Sequence, residues 1–162
     1  MVRCYRLCSG KYSASDATGA FIAGGRWNRK GTHVLYTSGS LSLACLEILV
    51  HIREPRLPTD YVWSQIEVPG RLIGKPDFSQ ATVADEQACA QFGSSWVDKE
   101  ETAALEVPSV IIPNEFNLLI NPMHADFSAI VFRPPRPFQF DARLLKTKSG
   151  EFERLYTEGK IK

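Results

Sequence analysis

The spacing of proline constrains the second half of this 162-residue chain more than any other feature. Proline lacks an N–H group and its ring clashes with the preceding turn of a helix, so it ends or kinks helices. Because interruptions recur so often, we expect no long helix there and a mainly β structure. The prolines concerned stand at positions 108, 113, 122, 134, 135 and 137.

Alternating and β-type runs predict strands. Val2 to Cys8 alternates apolar and polar residues, Val34 to Thr37 is a short β-type run, and Tyr61 to Val68 is a longer one. The Ser/Ala/Gly-rich segment from Ser9 to Gly25 is expected to be a surface loop. Further extended runs in the second half are Ala103 to Val107, Val110 to Ile112, Phe127 to Phe132 and Phe138 to Phe140.

Two segments predict helices. Ser38 and Ser40 offer N-cap side chains to a helix from Leu41 to Arg53, whose apolar residues cover nearly the whole circumference, so it should be buried. A weaker helix is expected from Thr82 to Gln91, ending before Gly93. Since strands and helices do not alternate regularly, the pattern predicts one strand-rich, mixed α+β domain over residues 1–162.

Composition excludes several classes of protein. With 44% hydrophobic residues, 23% charged residues and a net charge of +1, the chain is typical of a packed globular domain. The small net charge argues against general binding to nucleic acid or to an anionic membrane. Since no apolar run could span a bilayer and the N-terminus does not resemble a signal peptide, we expect a cytoplasmic protein.

Cysteine and histidine patterns predict no metal site. The cysteines at positions 4, 8, 45 and 89 form no CxxC pair and lie in apolar stretches, so we expect reduced core thiols. The histidines at 33, 51 and 124 are scattered and form no HExxH pattern.

The segment Gly24-Gly25-Arg26-Trp27-Asn28 is a candidate binding loop. Glycine lets the backbone approach a ligand closely, arginine suits the forked recognition of phosphate, and the indole offers a flat face to a ring. The alternative is a turn with a surface Arg26 and a core Trp27.

Glu47 lies in the middle of the apolar helix, where an ionised group is costly unless it is paired. That cost suggests a functional carboxylate, with His51 one turn further on as an auxiliary group. The alternative is a narrow solvated stripe made by Ser40, Glu47, His51 and Glu54.

Ser109 follows Pro108 at a break in a β run, and such a break can direct a hydroxyl into a cleft. No GxSxG surrounds Ser109, so a hydrolase triad has no support.

Taken together, these blocks resemble the RES domain family, which is named for an arginine, a glutamate and a serine. The resemblance rests on GGRWN, VLYTS, ACLEILVH, LEVPSVIIPNEFNLLINPMH and FQFD-x-R, in this order along nearly the whole chain. It implies the fold of the diphtheria-toxin ADP-ribosyltransferase domain and the toxin of a toxin–antitoxin pair. NAD would be the substrate, so no cofactor is expected, and the partner would be an Xre-like antitoxin.

The resemblance also implies roles for individual residues. Arg26, Glu47 and Ser109 match the named trio and would be catalytic, while Arg6, Arg26 and Tyr36 would bind NAD. Cleavage of the nicotinamide–ribose bond could pass ADP-ribose to inorganic phosphate or water. The alternatives are transfer to a target protein, and a non-enzymatic domain that binds protein or RNA.

Overall fold

One β-sheet organises the part of the chain that the computed structural model describes, which is residues 1–52, 57–78 and 83–144. The eight strands found there are β1 (Val2–Ser9), β2 (Leu35–Ser38), β3 (Tyr61–Val68), β4 (Ile73–Gly74), β5 (Ala104–Pro108), β6 (Phe116–Ile120), β7 (Val131–Phe132) and β8 (Arg136–Pro137). Their order is β4-β5-β6-β2-β1-β3-β7, and β8 also pairs with β3. Neighbours are antiparallel except β4 and β5, which run parallel.

The helices confirm the mixed α+β class. Those that lie wholly within the described ranges include α1 (Thr18–Ala23), α2 (Leu41–Leu49) and α3 (Glu86–Lys99), with 3-10 turns at Gly70–Leu72 and Ala125–Ala129. The predicted strands near β1, β2 and β3 are confirmed to within one residue at each end. None of the helices in the described ranges is long and apolar enough to cross a membrane.

The sheet opens between β1 and β2. Strand β1 pairs with β3 along its whole length, from Val2 opposite Val68 to Ser9 opposite Tyr61. Its pairing with β2 is a single match, Tyr5 opposite Ser38. Because two neighbouring strands that share one pair must diverge on either side of it, the sheet separates here. Side chains, and not ladder partners, line the opening.

Helix α2 forms one wall of this opening. Its N-cap is Ser40, as predicted, whose Oγ accepts the N–H of Leu43 at 3.1 Å. The expectation of a fully buried helix is wrong, since Leu43 and Ala44 are buried and the remaining residues of α2 are partly or fully exposed. Ala44 packs in a cluster with Leu7 and Phe140, and the same face of the helix, with Glu47 and Ile48, borders the open cleft. The helix ends at Leu49, and the predicted end at Arg53 lies outside the described residues.

Helix α3 runs through a glycine that was expected to follow its end. It begins after the N-cap Asp85, whose carboxylate accepts the N–H groups of Gln87 and Ala88, and it continues to Lys99. The predicted stop before Gly93 is wrong because Gly93 is a packing position. The predicted start at Thr82 lies outside the described residues.

Four other expectations are corrected. The presumed loop from Ser9 to Gly25 contains α1. Val110 to Ile112 is not a strand but a turn, and the run from Phe127 to Phe132 divides into a 3-10 turn and β7. Phe138 to Phe140 is not a strand either, because Phe140 leaves the sheet edge to pack with Leu7 and Ala44.

The cysteines are thiols distributed through the interior. Cys4 and Cys89 are buried, while Cys8 and Cys45 are half-buried. Burial raises the pKa of the Cys4 thiol to about 11, since an apolar environment disfavours the thiolate. Within the described ranges, no three side chains of His, Cys, Asp or Glu come together as a metal ion would require.

Replacing Gly93 by alanine should destabilise the fold. The added Cβ would lie 1.9 Å from the carbonyl oxygen of Trp27, a backbone atom that cannot yield alone. We expect the free energy of unfolding to fall by about 2 kcal/mol or more, as in other overpacked sites, measured by chemical denaturation. Gly19→Ala in α1 is the matched control, because its added carbon meets nothing within 4 Å. Equal stability of the two variants would contradict this packing argument.

Candidate active site

A cleft occupies the opening between β1 and β2, with α1 and α2 at its sides. It has two lobes that share Ala20, Tyr36, Glu47, Ile48 and Asn117. Arg6 lines the first lobe, and Arg26 and His51 line the second. Four residues predicted from the motifs, Arg6, Arg26, Tyr36 and Glu47, therefore meet in one cleft although they come from four separate segments.

Glu47 is held at the junction of the lobes by one carboxylate oxygen. Oε1 accepts hydrogen bonds from Asn117 Nδ2 at 2.7 Å and from Ser109 Oγ at 3.2 Å. Among the described residues, none forms a hydrogen bond with Oε2. The carboxylate thus has one oxygen engaged by the protein and a second with its lone pairs available. Glu47 is therefore held by other parts of the fold, whereas Glu54 of the alternative solvated stripe lies outside the described residues.

Ser109 supports Glu47 from beneath the cleft. Its side chain is 2% exposed, and its Oγ accepts the N–H groups of Ile111 and Ile112, both at 3.1 Å. A hydroxyl has a single proton, and that of Ser109 is donated to Glu47. The break after Pro108 does turn this hydroxyl out of the sheet, as expected, but the hydroxyl contacts Glu47 and not the open space.

Arg26 stands at the tip of a tight hairpin. Gly25 and Asn28 exchange backbone hydrogen bonds of 2.9 and 3.3 Å, which leaves Arg26 and Trp27 between them. The guanidinium donates to Glu86 Oε1 at 2.7 Å and to the carbonyl of Val83 at 3.1 Å, and 27% of the side chain remains exposed. Arg26 is therefore tethered to the start of α3 at the edge of the cleft.

Trp27 belongs to the core, and it also borders the second lobe of the cleft. It is 3% exposed and packs in a cluster with Val34, Trp96 and Leu119. Phe78 meets its ring edge-on at a centroid distance of 5.0 Å. This burial agrees with the alternative of a core tryptophan, and the indole as a binding face stays a prediction.

Tyr36 fixes the hairpin through its hydroxyl. The hydroxyl donates to Asn28 Oδ1 at 2.7 Å and accepts the N–H of Trp27 at 3.0 Å. Asn28 Nδ2 in turn lies 2.9 to 3.0 Å from three backbone carbonyls, one in α1 and two in the loop after the hairpin. Burial raises the pKa of Tyr36 to about 12, so the phenol stays neutral. Gly25 is required beside it, because a Cβ there would lie 2.6 Å from the hydroxyl oxygen.

Arg6 approaches the cleft from the opposite side. It lies on β1 and donates from Nη2 to the carbonyl of Asp16 at 2.6 Å. That contact ties the segment before α1 to the sheet. The two arginines therefore enter different lobes, with Glu47 at the point where the lobes join.

Sequence reasoning missed Asn117. It lies on β6, between Ser38 of β2 and Val107 of β5 in the ladder, and its side chain lines both lobes. The available signal was an isolated amide in the apolar run Phe116 to Ile120. An uncharged polar residue in a central strand needs a partner, and here that partner is Glu47.

Removing the hydroxyl of Tyr36 should loosen the hairpin. Tyr36→Phe leaves the Trp27 N–H and Asn28 Oδ1 without this partner, so the free energy of unfolding should fall by about 1–3 kcal/mol. Tyr12→Phe, at a side chain that is 59% exposed, is the control and should be neutral in the same denaturation experiment.

The same residue predicts a pH dependence. Because the pKa of Tyr36 is raised from 10.0 to about 12 in the folded protein, its contribution to stability is complete below pH 10 and is lost as the pH rises towards 12. Burial also raises the pKa of Tyr61, so tyrosinate absorbance should show more than one late-titrating tyrosine, and the component near pH 12 should be missing in Tyr36→Phe. Identical titrations of the two proteins would contradict the assignment.

Comparison with known proteins identifies the family. The family model described as RES domain matches residues 3–141. The "Prs ADP-ribosylating toxin" of Sphingobium sp. (strain YBL2) is 38% identical over 146 residues, which cover 83% of this chain and 90% of that protein. The "Toxin Res" of Photorhabdus laumondii subsp. laumondii is 38% identical over 152 residues, covering 89% and 97%.

The fold has a solved counterpart. A chain in the crystal structure of the M. tuberculosis MbcT–MbcA toxin–antitoxin complex aligns with a TM-score of 0.68 and 16% identity, over 90% of this chain and 87% of that one. At this identity the likeness concerns the fold alone, and it agrees with the α+β architecture. The family match covers every segment that lines the cleft, and the chain belongs to the RES domain family.

Proposed function

We propose that this protein is the toxin of a toxin–antitoxin pair and that it cleaves the nicotinamide–ribose bond of NAD. The observation that carries the proposal is the half-engaged carboxylate of Glu47 at the junction of two lobes, each of which contains an arginine. The names of the relatives support the toxin role. The partner would be an Xre-like antitoxin, and both it and NAD would be met in the cytoplasm.

The chemistry requires a negative group beside the ribose. Loss of nicotinamide leaves positive charge on the sugar, so a fixed anion lowers the energy of the transition state more than that of the ground state. Glu47 can supply this anion through Oε2. By analogy with glycoside cleavage, hydrogen bonds from ribose hydroxyls to such an oxygen strengthen as the charge develops.

The arginines suit the phosphates of NAD. A guanidinium binds a phosphate with two parallel hydrogen bonds. Arg26 is now engaged by Glu86, whose side chain is 74% exposed. Because an exposed ion pair of this kind is weak, a phosphate can replace the carboxylate without large cost.

Tyr36 and Ser109 take different parts. The hydroxyl of Tyr36 is already used by the hairpin, so the ring would offer its face to the nicotinamide as a wall of the cleft. Ser109 would act through Glu47, since its proton is donated to that carboxylate. His51, at the rim of the second lobe, is a candidate contact for the acceptor.

Transfer of ADP-ribose to a target protein is the second candidate function. It is favoured by the name of the Sphingobium relative, an ADP-ribosylating toxin. Both reactions use the same bond cleavage and differ in the acceptor. A purely non-enzymatic binding domain has no need of a carboxylate held on one oxygen by two side chains.

Glu47→Gln should abolish most NAD cleavage. The glutamine oxygen can still accept from Asn117 and Ser109, so the fold is kept, but an amide replaces the anionic Oε2. We expect nicotinamide release to fall by about 100-fold or more, and expression of the variant should no longer arrest growth. Glu101→Gln, at an exposed carboxylate outside the cleft, is the control. Parent-like cleavage by Glu47→Gln would refute the assignment.

Inorganic phosphate should accelerate the reaction and appear in the product. Since Arg6 and Arg26 line different lobes, one can bind the pyrophosphate while the other holds a second anion near the reacting sugar, where proximity favours it over water. Mass spectrometry should detect phosphorylated ADP-ribose. Sulfate, a poor nucleophile of the same shape, should give no acceleration. If neither the rate nor the product depends on phosphate, the reaction is hydrolysis. If label from NAD is found on protein, ADP-ribose is transferred to a target protein.

A further inference from the structure

We propose that Asn117 is a positioning residue for Glu47, one that fixes Oε1 of the carboxylate and thereby leaves Oε2 for the substrate. The inference rests on the proposed NAD cleavage and adds a residue to it. Its basis is the 2.7 Å hydrogen bond from Asn117 Nδ2 to Glu47 Oε1 across 70 residues of sequence.

The backbone of Asn117 is held on both sides. Its neighbours in the ladder are Ser38 of β2 and Val107 of β5. An amide on a central strand has little freedom, because both flanking strands fix the direction of its Cα–Cβ bond. Asn117 therefore gives α2 a rigid reference point on the sheet.

The orientation of the amide follows from charge. A carboxylate only accepts hydrogen bonds, so the NH₂ group of Asn117, and not its oxygen, must lie against Glu47. Oδ1 is then directed elsewhere, and it is buried without a hydrogen-bond partner among the described residues. An unpartnered buried acceptor costs folding free energy. A side chain kept only for stability would avoid that cost.

Asn117 and Ser109 contribute unequally. The contact from Asn117 is 2.7 Å and that from Ser109 is 3.2 Å. The planar amide donates in a fixed direction, whereas the serine hydroxyl rotates and also accepts two backbone N–H groups. Asn117 is thus the stronger restraint on the carboxylate.

Two substitutions distinguish the effect of the hydrogen-bond donor of Asn117 from the effect of its side-chain shape. Asn117→Ala removes the whole amide, and Asn117→Asp keeps the shape but replaces the donor with a second acceptor that repels Glu47. We expect kcat for nicotinamide release to fall by about 10- to 100-fold in both, which corresponds to the loss of a hydrogen bond to a charged group, while KM for NAD changes by less than about threefold.

The control is Asn121→Ala, at the residue that directly follows β6. Asn121 is fully buried and donates to the carbonyl of Val97, so its loss also affects packing, but it does not contact Glu47. Its kcat should stay near the parent value under conditions in which circular dichroism shows all variants folded. Asn117→Asp guards against the case in which Asn117→Ala fails to fold.

A second readout tests whether Asn117 acts through Glu47. In the Glu47→Gln background, Asn117→Ala should cause less than about a threefold further loss of residual activity, because coupled residues are not additive. A full further loss, a parent-like kcat in both Asn117 variants, or a change confined to KM would overturn the proposal. If the parent protein releases no nicotinamide, the proposed function fails instead, and arrest of growth by the parent but not by the Asn117 variants would still support the positioning role.

Discussion

The separation of β1 from β2 is the constraint on which the rest of the structure depends. Two strands joined at Tyr5 and Ser38 alone cannot pair their backbone N–H and C=O groups with each other elsewhere. Helices and loops must therefore close the sides of the opening. Helix α2 does so by packing Ala44 against Leu7, and the same face, one turn further on, borders a space. A carboxylate on that face is half shielded and half accessible, which a continuous sheet would not allow.

The hairpin around Arg26 shows that packing and binding are not competing explanations of one motif. Trp27 and Asn28 are buried and Tyr36 closes the turn through two hydrogen bonds. These contacts leave the adjacent Arg26 with little choice of direction. A guanidinium held in place before a ligand arrives loses less conformational entropy on binding. The buried residues of the motif, Trp27 and Asn28, therefore help to hold the exposed Arg26 in position.

Local patterns predicted the elements that depend on local physics. Alternation predicted β1 and a β-type run predicted β3, both nearly residue by residue, and the serine cap predicted the start of α2. The errors arose where distant contacts decide, since Gly93 lies inside α3 because it meets the Trp27 carbonyl. Arg26, Glu47 and Ser109 were singled out by their local context, whereas Arg6 and Tyr36 were assigned by resemblance to a family alone. Asn117 was missed because its partner lies 70 positions away, beyond the reach of any spacing rule.

The arrangement also separates two parts of the proposed reaction. Stabilising the charge on the ribose would fall to Glu47, whose position is set by the sheet through Asn117 and by the turn through Ser109. Choosing the acceptor would fall to the second lobe, which is lined by loop and helix-end residues such as Arg26 and His51. Loops change more readily than a central strand. Under the proposed function, a family built in this way would keep one bond cleavage and differ in what receives the ADP-ribose, and the acceptor would bind in the second lobe.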